Sequence, residues 1–132
     1  GGLSVQGHIP EKDGILADLL VMEAMAVKKM SIVELQEELY KLAGCKFINE
    51  RINIKSESRD EVKNSIEKIS SLECIAGQKI TRKDNKDGIK LYLEDNSTWI
   101  LVRPSGTEPL LRIAIESDSK EKIEQIKKDI MQ

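Results

Sequence analysis

Seven consecutive residues, Arg103-Pro104-Ser105-Gly106-Thr107-Glu108-Pro109, combine groups that grip an anion, and Arg112 follows three residues later. Apolar alternation on either side predicts two flanking strands, so the run is a hairpin connection. Gly106 would let the backbone take a positive φ and approach a ligand closely. Ser105 and Thr107 bring hydroxyls, and successive N–H groups could form an anion nest. The alternation of Ile100 and Val102 with Leu111, Ile113 and Ile115 predicts that Arg103 and Arg112 share the face opposite the core. Two guanidinium groups and two hydroxyls around one turn suit a phosphate dianion, each charge-assisted bond contributing about 1.5–3 kcal/mol. Ser, Gly and Thr are also ordinary turn residues. On residue type alone, an anion site and a plain polar hairpin with proline at both ends stay open together.

A second polar segment lies at the other end of the chain, in the Gly-rich stretch from Gly1 to Gly14 that carries His8 and Lys12. Lys12 falls just before a helix start, where the macrodipole does not favour a cation. That gives it a functional reading beside that of a plain surface lysine. His8 is a candidate polar site residue, with a local loop hydrogen bond as the alternative.

The rest of the composition limits the chemistry. The 132 residues carry 21 basic and 23 acidic side chains, a net charge of −2, which creates no broad field for nucleic acid or an anionic membrane. Stacking platforms are scarce, Tyr92 and Trp99 being the plausible ones, so nucleic acid is not the expected partner. Anion binding must be local. The two cysteines, Cys45 and Cys74, stand apart without metal-ligand spacing, and His8 is the single histidine, so no metal site is expected. They read as reduced thiols in a cytoplasmic protein. No apolar run approaches the ~20 residues that span a bilayer. The opening Gly1-Gly2-Leu3, without methionine, reads as the interior of a longer protein.

The elements that must position these residues are legible in outline. Asp13 can cap a helix running to about Lys29, dense in Ile15, Leu16, Leu19, Leu20, Met22 and Met25. Ser31 to Glu34 has the form of a capping box, and Gly44 suits the stop of that second helix. Residues 46–54 predict a strand with Ile48, Ile52 and Ile54 on one face. Ser58 and Glu61 suggest another box before a helix carrying Val62, Ile66 and Ile69. Strands follow at 78–83, 89–93, 98–103 and 110–116, then a helix begun by Asp118 with Glu121 that presents Ile123, Ile126 and Ile130. Residues 46–132 thus read β-α-β-β-β-β-α, an antiparallel sheet with both helices on one face. The first 44 residues hold two helices and no strand of their own. Alone, their apolar faces must pack on the small domain, on another copy, or stay poorly ordered.

The loop 103–109, with Arg112 beyond it, resembles the phosphate-gripping loop of the α-D-phosphohexomutase superfamily. Gly1-Gly2, followed by His8-Ile9-Pro10-Glu11-Lys12-Asp13-Gly14, resembles the third-domain segment of phosphoglucomutases in that superfamily. There, a Glu and a Ser that hold the sugar hydroxyls precede the glycines. The resemblance implies an α+β fold: a small TATA-box-binding-protein-like fourth domain at 45–132, preceded at 1–44 by two helices ending an α/β third domain. It implies that Arg103, Ser105, Gly106, Thr107 and Arg112 hold the substrate phosphate, with Glu108 and Pro109 shaping the loop. Lys12, and with it His8, would sit at the active site.

The same resemblance implies the activity. A phosphoserine elsewhere in the enzyme donates its phosphoryl group to a hexose phosphate, a bisphosphorylated sugar forms, and its other phosphate returns to the serine. Mg²⁺ assists and a sugar bisphosphate activates. Hexose 1-phosphate and hexose 6-phosphate, of glucose or mannose, would interconvert, and the His8–Gly14 segment leans toward glucose over glucosamine. This chain has neither the phosphoserine motif nor an Asp-rich metal loop. It is therefore expected to bind phosphate, to need the N-terminal domains of the enzyme, and to be inactive alone. Closure around the ligand fits a hinge near Gly44. The alternative is a non-catalytic phosphate-binding or interaction module of the same fold, with self-association through helices 13–44.

Overall fold

The computed structural model describes residues 2–131. Gly1, the first glycine of the trailing pair, lies outside the described residues. The chain divides into two compact units, Gly1–Cys45 and Lys46–Gln132.

The first unit is a loop and two helices, α1 (Gly14–Lys28) and α2 (Ile32–Ala43). Asp13 caps α1 by accepting from the Leu16 N–H at 3.0 Å. Ser31 and Glu34 close a full capping box on α2. Gly44, at φ 72, ends α2 in the left-handed conformation that glycine adopts without Cβ strain. Lys29 ends α1 at φ 53, one residue earlier than the periodicity predicts for the last helical position. A Lys28–Glu38 ion pair of 2.5 Å ties the helices together. Neither helix holds a buried residue. Ile15, Leu19, Met22, Val33, Leu39 and Leu42 are all exposed.

The second unit is a six-stranded antiparallel sheet with two helices. Its elements are β1 (Ile48–Lys55), α3 (Arg59–Ser71), β2 (Cys74–Ile75), β3 (Gln78–Asp84), β4 (Ile89–Leu93), β5 (Trp99–Pro104), β6 (Leu110–Ser117) and α4 (Lys120–Met131). The strand order is β1-β6-β5-β4-β3-β2. Alternation places Leu91, Ile100, Val102, Ile113 and Ile115 inward, where they meet Val62 and Ile69 of α3 and Ile123 and Ile126 of α4 in one core. Both helices therefore cover the same face of the sheet, the α+β architecture expected from the order of elements.

Three local features depart from the sequence reading. The two-residue strand β2 was not expected. It forms a hairpin with β3 through Ala76 (φ 51) and Gly77 (φ 72), both in the positive-φ conformation that such tight turns require. Alanine is not a residue that announces such a turn. The Ala76 N–H donates to Asp129 Oδ2 of α4 at 2.7 Å, which holds the turn in place. At the start of α4, Ser119 rather than Asp118 is the cap, its Oγ accepting from the Lys122 N–H at 3.3 Å. Asp118 instead takes the Lys122 ammonium at 2.9 Å. Before α3, Ser58 accepts from the Glu61 N–H, but Glu61 accepts from the Glu57 N–H rather than from Ser58, so the box is only half closed.

The turn between β4 and β5 is pinned by a polar cluster. Asp95 accepts from the N–H groups of Ser97 and Thr98 and from the Thr98 hydroxyl. It also accepts from Lys122 Nζ of α4, at 2.7 Å. Thr98 and Ser117, both buried, share a hydroxyl–hydroxyl bond of 2.8 Å. Burial pushes the Asp95 carboxyl up. The Lys122 ammonium, the Thr98 hydroxyl and the two N–H donors outweigh it and hold the group far below the usual carboxylate range.

Candidate functional site

The β5–β6 hairpin positions the predicted loop. Arg103 and Arg112 are direct cross-strand partners. Val102, Leu111 and Ile113 point into the core beside them, so both guanidinium groups leave the sheet on its outer face. Like charges directly opposite destabilise a strand pair, and each arginine finds its own relief. Arg103 Nη1 donates to Asp87 Oδ2 at 2.5 Å. Arg112 Nη2 donates to Ser105 Oγ at 3.4 Å.

Asp87 comes from the turn between β3 and β4, and the next residue explains how that turn gets so close. Gly88 sits at φ 80, and a Cβ there would lie 2.3 Å from the Val102 carbonyl oxygen and 2.6 Å from Arg103 Cγ. The turn packs against the stem of Arg103 and holds its head through Asp87. Neither residue figured among the sites expected from sequence. A Gly after an Asp reads as turn chemistry, and nothing local to residues 84–88 says which arginine the turn will face.

The loop itself closes through Ser105 N–H to the Leu110 carbonyl, 2.9 Å, and Leu110 N–H to the Glu108 carbonyl, 2.8 Å. The Ser105 and Thr107 hydroxyls stand 3.5 Å apart. The N–H groups of Gly106, Thr107 and Glu108 have no acceptor among the described residues. Three N–H groups without an acceptor, two hydroxyls and two arginines lie on or beside one short, exposed turn. These are the donor types that a tetrahedral anion takes.

Gly106 corrects one expectation. No residue of 103–109 lies at positive φ, so the loop is not an alternating-handedness nest and Gly106 is not there for its backbone angle. A Cβ at Gly106 would meet nothing within 4 Å. Nothing within the described residues therefore requires glycine at this position.

His8 and Lys12 belong to the first unit. His8 Nε2 donates to Asp13 Oδ2 at 2.9 Å, a local bond to the residue that caps α1. The Asp13 carboxyl is lowered first by the Leu16 N–H and then by His8. Lys12 lays its stem across Gly2, where a Cβ would stand 2.5 Å from Lys12 Cδ. Its ammonium makes no ion pair among the described residues.

The outer face of the sheet carries both Tyr92 and Trp99, and both rings are covered. Arg82 lies 3.7 Å from the Tyr92 ring centre and Lys90 lies 3.9 Å from that of Trp99. Trp99 Nε1 donates to Glu116 at 2.7 Å. A base stacking here would have to displace these side chains. Among the described residues no group of three or more His, Cys, Asp or Glu side chains is placed to hold a metal ion. No step through a metal is assigned to these residues. Cys45 and Cys74 are free thiols. No helix among the described residues is long and apolar enough to cross a membrane.

Comparison with known proteins matches both units to one family. Residues 52–132 match the family described as "Phosphoglucomutase/phosphomannomutase, C-terminal domain". Residues 1–43 match "Phosphoglucomutase/phosphomannomutase, alpha/beta/alpha domain III". A "Probable phosphoglucosamine mutase" of Pyrococcus furiosus is 37% identical over 116 residues, covering 88% of this chain and 24% of the relative. A "Phosphoglucomutase/phosphomannomutase" of Thermococcus kodakarensis is 32% identical over 122 residues, 92% of this chain and 24% of the relative. A "Phosphoglucosamine mutase" of Methanocaldococcus jannaschii is 33% identical over 118 residues, again 24% of the relative. The chain spans about a quarter of the length of these curated relatives.

Proposed function

The chain belongs to the phosphoglucomutase/phosphomannomutase family, and from that premise we propose that it is the phosphate-gripping part of a phosphohexomutase. The whole enzyme would interconvert hexose 1-phosphate and hexose 6-phosphate through a phosphoserine and a bisphosphorylated sugar. The part played here is to hold the phosphate that is not being transferred. The observation that carries this reading is the cross-strand pair Arg103–Arg112 at the mouth of an exposed turn with three unused N–H groups. In the proposal Arg103 and Arg112 neutralise the dianion, Ser105 and Thr107 donate hydroxyl hydrogens, and the amides from Gly106 onward cover the remaining oxygens. Lys12 is proposed as a substrate-contacting lysine. His8, engaged with Asp13, orients the loop that carries Lys12.

The sugar remains a class. The His8–Gly14 segment points to glucose, whereas the printed names of the relatives divide between phosphoglucosamine and phosphoglucomutase/phosphomannomutase. The proposed substrates are therefore aldohexose phosphates, amino sugars included. Titrating glucose 1-phosphate into the chain should shift amide resonances within 103–112 and leave those of α4 unmoved. Absence of any shift in the loop at millimolar ligand overturns the proposal. With Mg²⁺ and a sugar bisphosphate present, the chain alone should show no mutase turnover above blank. Turnover at the level of a whole mutase would refute the assignment of a partial site.

A second reading is favoured by the exposed apolar side chains of α1 and α2. In it those helices serve association, and sedimentation should report a concentration-dependent dimer with no response to hexose phosphate.

A further inference from the structure

The phosphate loop is met from outside its own hairpin. Arg59, the first residue of α3, lies 47 positions before Gly106 and donates from Nη2 to the Gly106 carbonyl at 3.4 Å. The contact is not isolated. The Ser56 N–H donates to the Pro109 carbonyl at 2.9 Å, which seats the segment before α3 against the same loop. The first turn of α3 is itself fixed, by Ser58 Oγ on the Glu61 N–H and by the Glu61 carboxylate on the Glu57 N–H. The position of Arg59 is therefore set by the fold and not by one long hydrogen bond.

The state of its head group is informative. A guanidinium carries five N–H donors, and this one spends a single weak bond on a carbonyl. Among the described residues it pairs with no carboxylate, although acids surround it in sequence. Glu61 is occupied by the Glu57 N–H, and Asp60 faces Lys63 at 3.9 Å. An arginine parked on the carbonyl of Gly106 stands at the residue whose missing side chain leaves open space.

We propose that Arg59 is a third arginine of the anion site, taking the bound phosphate from the first turn of α3 while Arg103 and Arg112 take it from the hairpin. The proposal rests on the reading of 103–112 as a phosphate-gripping loop. It adds that the site is built from two parts of the chain, so the sheet and α3 must both be folded before the anion is held. Three guanidinium groups around one ligand also favour a doubly charged phosphate over a singly charged anion.

The test uses the 132-residue chain and inorganic phosphate, followed by amide spectra and by the Nε–H resonance of Arg59. In the unchanged chain the Arg59 Nε–H should shift along the same saturation curve as the amides of 106–108. Arg59→Gln should weaken phosphate binding by roughly tenfold or more, the effect of one charge-assisted bond. Arg59→Lys should recover part of it, restoring the charge without the planar fork. Lys63→Gln, the same charge change one turn further along α3, should stay within about twofold, the scale of an exposed charge. Unchanged binding in Arg59→Gln, with the loop amides still shifting, overturns the role of Arg59 and leaves the loop site standing. If phosphate moves no amide of 103–112 in the unchanged chain, the loop reading fails and the third arginine fails with it.

Discussion

Arg103 meets a carboxylate before it meets any ligand. Asp87 is exposed by 77% and Arg103 by 42%, so their pair contributes only about 0.2–1 kcal/mol and exchanges readily for a better partner. In the free protein the pair relieves the repulsion between the opposed arginines. Toward a dianion the same carboxylate is a competitor. Asp87→Asn should therefore tighten phosphate binding about threefold at low salt, the size of one exposed charge acting through water. The gain should fade as salt is added, and calorimetric titration at two salt concentrations checks both points. A weakened affinity would show instead that Asp87 aims Arg103. The two arginines and two hydroxyls of the candidate site could be picked out in the sequence because they fall within ten residues and obey strand alternation. Asp87, Gly88 and Arg59 were not, because each reaches the loop across a tertiary contact. The role expected of Gly106 was read from residue type alone, and the backbone angle does not use it.

Elements are held in register by a few polar anchors, and the Asp95 cluster is the one with a pH signature. Its carboxyl is depressed in the folded chain and ordinary in the unfolded one, so it stabilises the fold above about pH 4. That contribution is lost as pH falls through the acid range toward the folded value. Asp95→Asn removes the charge facing Lys122, and should lower unfolding stability near neutral pH by about 2 kcal/mol, the scale of hydrogen bonds to a charged group. The difference from the unchanged chain should shrink steadily in urea melts taken below pH 4. A difference that stays constant with pH would mean that the carboxylate charge is not what stabilises this turn. Gly88→Ala tests the neighbouring hairpin. Its Cβ would press on the Val102 backbone at φ 80, and the expected cost is about 1–3 kcal/mol in the same melts. The sequence showed the strands on either side of both turns through their alternation. It did not show β2, whose two residues are too short for any period and whose turn places alanine at positive φ. Nor did it show that α4 is capped by Ser119, because Asp118 and Ser119 are equally good caps by type and only the position of Lys122 separates them.

At the scale of the whole chain the two units differ in how they are stabilised. The second has a continuous core, with Leu91, Ile100, Val102, Ile115, Ile123 and Ile126 fully excluded from solvent. The first has capped helices and no buried side chain. Caps and one ion pair contribute roughly 1 kcal/mol each, too little to hold a helix of 15 residues or one of 12 without packing. The antiparallel sheet was legible in sequence because its core positions recur along each strand. What covers the dense apolar faces of α1 and α2 was not, since those faces have no partner within their own unit. Hydrogen exchange should separate the units: amides of β4, β5 and β6 protected to the limit of global unfolding, those of α1 and α2 exchanging many orders of magnitude faster. The same division decides what the chain can recognise. If the second unit grips only phosphate, it is blind to the sugar's second carbon. Glucose 6-phosphate, mannose 6-phosphate and glucosamine 6-phosphate should then bind this chain within about twofold of one another, the tolerance of a site whose charged contacts are all to the shared group. Tenfold discrimination in competing titrations would place a sugar-reading residue in this chain.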